Sequence, residues 1–168
     1  IPFYILLGVV GGLMSAYFTY IYEKINAAFK KISSPWLRIV VGGALLGLLI
    51  YIMPPLYGEG HEIINHLKEG HPELSLSSNI FGWDLSNAWV IILLLAALTF
   101  AKVVATSLTF GAGGVGGIFS PMLFMGGVMG NCLARIINEF PILGYKAALP
   151  NFTLVGMTAL MTGVLHAP

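Results

Sequence analysis

The 168-residue chain carries 8 Lys or Arg and 7 Asp or Glu for a formal net charge of +1, and 57% of its residues are hydrophobic against 9% charged. Soluble domains average about 25% charged residues, so an ordinary water-surfaced enzyme and a disordered chain are both excluded. With no field to gather nucleic acid and a mean hydropathy of +0.88, the composition points to a membrane protein whose outer surface faces lipid.

Charges mark the expected spans. Residues 1–22 hold no charged side chain and are long enough to cross a hydrocarbon core about 30 Å thick. Glu23, Lys24, Lys30 and Lys31 end the stretch, and Ser33, Ser34 and Pro35 signal a new helix start. The second apolar segment covers 36–57, with Arg38 near its mouth and Pro54-Pro55 breaking its far end. Residues 58–87 form the one long polar stretch, expected to be a solvated loop. His61, Glu62, His66, Glu69, His71 and Glu73 are metal-ligand types, but His61 and His66 miss the i, i+4 spacing of a helical pair and Pro72 makes the region irregular, so no metal site is expected.

The third segment covers 88–110 and is interrupted only by Lys102, which is expected to snorkel, as is Arg135. The break from Gly111 to Gly117 carries no polar side chain, so it is expected at membrane depth, buried in protein or lining a cavity. The fourth segment, 118–137, is closed by Arg135 and Glu139; Pro141 and Pro150 bracket a linker; 152–168 opens a fifth helix. His166, in that helix, reads as a satisfied interhelical histidine. The expected fold is all-α, a polytopic membrane domain of tilted, broken helices. Both ends lie in apolar sequence, and the chain is expected to be part of a longer protein.

The glycine break has a chemical use. The first N–H groups of a helix lack internal partners and, with the macrodipole, attract anions. Gly113, Gly114, Gly116 and Gly117 keep no side chain between an anion and that backbone, and Pro121 suits a first turn, where its missing N–H is not needed. Packing competes as an explanation, since Gly8/Gly12, Gly43/Gly47, Gly113/Gly117 and Gly126/Gly130 all have small-xxx-small spacing. A dinucleotide-binding turn does not fit: Gly111, Gly113 and Gly116 spell GxGxxG, but an apolar helix follows, and Arg135 stands where an acidic residue is wanted.

The run from Thr106 to Pro121, TSLTFGAGGVGGIFSP, closely resembles the GGxFxP-type anion-filter segment of the CLC chloride channels and chloride/proton exchangers. Leu154 to Pro168 resembles the later CLC helix that ends in an Ala-Pro turn, and Pro55 to Gly60 the Gly-x-Gly turn after the family's mid-chain helix. The resemblance implies the CLC inverted-repeat fold, here the last helix of the first repeat with much of the second. It implies an anion site at Gly116, Gly117, Ile118 and Phe119, with chloride on the backbone N–H groups of Ile118 and Phe119, and Gly113, Gly114, Ser120 and Pro121 as supporting motif residues. The family's Gly-Ser-Gly-Ile-Pro turn, gating glutamate and later filter tyrosine have no counterpart in this chain.

The resemblance further implies chloride transport, by channel or by chloride/proton exchange, in a multi-pass protein of the cell or inner membrane. No enzymatic activity, catalytic residue or cofactor other than chloride is expected, and the partners are chloride, the lipid bilayer and a second copy in a homodimer. The small-residue face Gly8, Gly11, Gly12, Ser15 and Ala16, together with the helix from Thr153 bearing Gly156 and Gly163, is the expected dimer surface. The first loop, with Lys24, Lys30, Lys31 and Arg38, is placed outside the cell by the resemblance, against the positive-inside rule. The alternatives are a non-transporting helical membrane module and another broken-helix secondary transporter.

Overall fold

The computed structural model describes residues 2–71, 85–140 and 146–165. Helix α1 spans Pro2–Lys30. It runs past Tyr22, where the apolar stretch ends, because Glu23, Lys24, Asn26, Ala27 and Ala28 include no helix breaker. The chain turns at 31–34, where Arg38 Nε donates to the Ile32 carbonyl at 2.6 Å. Helix α2 covers Pro35–Ile52, with Pro35 in its first turn, and stops at the 3-10 turn Pro54–Leu56. Of α2's residues only Gly42 is buried.

The polar stretch is not all loop. Helix α3, His61–Glu69, turns Ile63, Ile64 and Leu67 inward onto the two helices that follow the glycine break. Gly60 at φ 77° and Gly70 at φ 86° bracket it, and the His71 N–H reaches back to the His66 carbonyl at 2.9 Å, a usual glycine-terminated end. Pro72 follows that end in the sequence and lies outside the described residues.

Helix α4, Ala88–Gly111, begins with Asn87 Oδ1 accepting from the Trp89 amide at 3.0 Å. Helix α5, Phe119–Glu139, follows the break, and α6 spans Leu149–Leu165. Asn138 and Ala147 exchange two hydrogen bonds, 3.0 Å and 2.7 Å, at the approach to α6. Among the described residues, α1, α2, α4 and α5 are long and apolar enough to cross a membrane. The molecule is an all-α, multi-pass integral membrane protein.

The core lies where α5 meets α4, α6 and α1, around Leu7, Leu95, Leu98, Phe124, Met125, Val128 and Phe152. The α5–α6 contact is the closest. A Cβ at Gly130 would run into the Phe152 carbonyl, and one at Gly126 would stand 2.8 Å from Met157 Cα, with the Gly156 carbonyl nearer still. Of the four small-xxx-small pairs, then, Gly126/Gly130 is a packing seam. Gly8/Gly12 and Gly43/Gly47 face open space, and Gly113/Gly117 lies in the break.

The expected dimer surface is largely spent inside the chain. A Cβ at Gly11 would stand 3.1 Å from Ala159 Cβ, and one at Gly163 would stand 2.9 Å from Ser15 Cβ. Gly156 faces α5. Gly11, Ser15, Gly156 and Gly163 therefore join α1 and α5 to α6, because small residues are what let these backbones approach.

Candidate functional site

The site is built where α4 stops. Thr106, Ser107 and Thr109 donate their hydroxyls to the carbonyls of Lys102, Val103 and Ala105, at 2.8, 2.7 and 2.9 Å, which binds these side chains to their own helix. Gly113 then takes φ 99°, a left-handed conformation that suits glycine. The amides of Gly113 and Gly114 close on the carbonyls of Phe110 and Thr109 at 3.0 and 2.9 Å. Residues 113–117 stand exposed, Val115 fully so.

Helix α5 starts just after, with Ile118 as its cap in right-handed helical conformation and its carbonyl accepting from the Met122 amide at 3.1 Å. Among the described residues no carbonyl accepts from the amides of Ile118 or Phe119, as position alone dictates for a helix start. The Phe119 ring is mostly exposed. Ser120 Oγ is enclosed and meets no hydrogen-bond partner among the described residues. Gly116, Gly117 and Pro121 line a cavity of about 290 Å³ with Lys102, Thr106, Thr109 and Tyr57. Ile118 and Phe119 are not among its lining residues; Gly113 and Gly114 build the turn instead.

Lys102 does not snorkel. It is 5% exposed, and its Nζ donates to the carbonyls of Leu56 and Gly58, both at 2.8 Å, while standing 4.8 Å from the centroid of the Phe124 ring. A turn leaves carbonyls outside the helix ladder, and the ammonium serves two of them. It is also the one full charge among the residues lining the cavity. The signal was available: a charge within an apolar span faces a protein interior by default. Arg135 turns inward as well, its Nε donating to Asn131 Oδ1 at 2.9 Å. Asn131, fully buried, was overlooked in the sequence, and the same rule marks it.

Of the polar-stretch residues, His61 and Glu59 form an exposed pair at 2.9 Å. Among the described residues no three His, Cys, Asp or Glu side chains group as a metal site. Glu73 and His166 lie outside the described residues.

An all-α membrane protein with a glycine-rich break before an apolar helix start has the broken-helix pattern that points to a binding site in transporters. The family model described as voltage gated chloride channel matches residues 1–168, and the chain belongs to that family. It is 28% identical over 163 residues to the Voltage-gated ClC-type chloride channel ClcB of Salmonella typhi, covering 96% of this chain and 34% of the relative. It is 29% identical over 167 residues to the Putative chloride channel protein ClcB-like of Ralstonia nicotianae, covering 98% and 34%. With the H(+)/Cl(-) exchange transporter ClcA of Yersinia pestis it shares 28% identity over 171 residues, covering 98% and 32%. The chain spans about a third of the length of these curated relatives. No solved structure gives a significant match.

Proposed function

We propose that the full-length protein containing this chain carries chloride across a membrane, as a channel or as a proton-coupled exchanger, and that Gly116, Gly117, Ile118 and Phe119 form one wall of its anion site. The observation that carries the reading is the start of α5: unpaired amides at Ile118 and Phe119, directly after exposed glycines. The buried Lys102 charge in the adjoining cavity and the Ser120 hydroxyl, which has no partner among the described residues, support it. The relatives named a chloride channel and an H(+)/Cl(-) exchanger agree on the ion and leave both modes open. The protein's work is transport rather than catalysis, and it needs no cofactor beyond the anion.

Dehydrating chloride costs many kcal/mol, whereas one helix end contributes up to about 2 kcal/mol. Donors from outside this chain must therefore converge on the same point, and the exposure of 113–117 is where they would approach. The test contrasts Phe119→Pro with Phe119→Leu in the full-length protein. Proline deletes the amide yet is tolerated in a helix's first turn; leucine keeps the amide and much of the bulk. Calorimetry should find chloride binding about tenfold or more weaker with proline and nearly unchanged with leucine, the scale of one lost charge-assisted hydrogen bond. Equal affinity in two folded variants would remove this amide from the site.

The same protein is proposed to act as a homodimer. Gly11, Ser15, Gly156 and Gly163 are occupied within the chain, which leaves the outward side of α1 around Gly8, Gly12 and Ala16 as the part of the expected surface still open.

A further inference from the structure

Residues 56–67 are fastened to α4 and α5 at three places. The carbonyls of Leu56 and Gly58 accept from Lys102 Nζ. Gly60 lies against the Phe124 ring so closely that a side chain there would collide with it. The Leu67 carbonyl, in the last turn of α3, accepts from Asn131 Nδ2 at 3.0 Å. The second and third contacts are seven residues apart on both partners, 60 to 67 and 124 to 131, which is two helical turns. Helix α3 thus lies alongside α5 with the two chains running the same way.

Each end of this arrangement is held by an enclosed polar group. Lys102 is also seated over the Phe124 ring. Asn131 also donates to Thr153 Oγ1 of α6 at 3.1 Å and accepts from Arg135. Polar groups in such surroundings are kept with their hydrogen bonds made. The first turn of α5, by contrast, has open glycines before it and unpaired amides within it. What fixes that turn in space is the grip on the helix further along.

We infer that Lys102 and Asn131 are positioning residues, which together splint residues 56–67 along α5 and thereby hold the amides of Ile118 and Phe119 in one place. The splint stands on the contacts above; its consequence for chloride rests on the anion-site reading. The test uses the full-length protein with Lys102→Met, Lys102→Arg, Asn131→Leu and the Lys102→Met/Asn131→Leu double variant. Two readouts are taken: hydrogen exchange over 59–69 and 116–122, and chloride affinity by calorimetry.

Lys102→Met and Asn131→Leu should each speed exchange in both segments by about tenfold, as released local structure does, and weaken chloride binding about threefold or more. Lys102→Arg should stay near the parent, since a guanidinium fork can serve two carbonyls. The double variant should fall short of the sum, because either change alone releases the splint. Asn131→Leu is the decisive arm: it changes no charge, and Asn131 lies about 18 Å along the helix from Phe119. If Lys102 acts only through its charge, Asn131→Leu leaves 116–122 exchange and chloride affinity unchanged, and the proposal is overturned; strict additivity in the double variant overturns it too. Faster exchange with unchanged chloride affinity upholds the splint and counts against the anion site instead. Should Asn131→Leu not fold, Asn131→Thr, too short to reach the Leu67 carbonyl, takes its place with the same expected results.

Discussion

Gly58 and Gly60 stand two residues apart with nearly the same backbone, φ 71° and φ 77°, yet they are glycines for different reasons. Nothing lies within 4 Å of a Cβ built at Gly58, while one built at Gly60 meets the Phe124 ring. Gly58→Ala should therefore show only the left-handed backbone penalty, about 1–2 kcal/mol. Gly60→Ala should show that penalty plus the displacement of Phe124, about 1–3 kcal/mol more for an overpacked contact. Thermal unfolding of the detergent-solubilised full-length protein checks the order; equal losses would mean that Phe124 yields freely. Single residues of this kind were the hardest to read in the sequence. Lys102 looked like a snorkelling charge because only its distance from the helix end was visible, not the two carbonyls of a turn more than forty residues away that it serves. Asn131 drew no notice because one carboxamide barely alters an apolar run.

Among the helices, legibility followed the strength of the pattern. The charge-free stretches located α1, α2, α4 and α5 well, since lipid demands long apolar segments and little else resembles them. The end of α1 was read too early, because charge stops a membrane span but does not stop a helix. The missed element was α3. Its inward residues Ile63, Ile64 and Leu67 have helical spacing, and Gly60 and Gly70 bracket them, but nine residues inside a polar stretch weigh little against its composition. At the site, α5 starts at Phe119, one residue from the expected 118, while the cavity beside the glycine break depends on α2 and the 3-10 turn, which no local pattern links to it. Glycine spacing was equally ambiguous until partners were visible. Gly130→Leu should separate α5 from α6 and cost at least about 3 kcal/mol, the upper range for overpacking. Gly43→Leu, facing open space, should be nearly neutral or slightly favourable through helix propensity. Size-exclusion profiles and melting temperatures in detergent would rank the two, and similar behaviour would refute the seam.

For the molecule as a whole, the outward face of α2 is telling: Trp36, Leu37, Val40, Leu48 and Tyr51 are all more than half exposed, a surface suited to lipid or to a packing partner. The dimer proposal divides α1 the same way. In native membranes, cysteines at Gly8 or Gly12 should crosslink between copies, whereas cysteines at Gly11 or Ser15 should not, because α6 covers them. Crosslinks at Gly11 alone, or none at Gly8 and Gly12, would move the interface elsewhere.

The far end of α1 meets the start of the glycine break. Phe29 is buried; its ring stands in front of Gly111, with Ile25 completing the wall there, and lies behind Ala112 in front of Gly42. Volume here is shared property. A methyl group added at Gly111 has no room unless Phe29 or Ile25 surrenders it, so positions more than eighty residues apart can drift only in step, each enlargement waiting on a shrinkage across the gap.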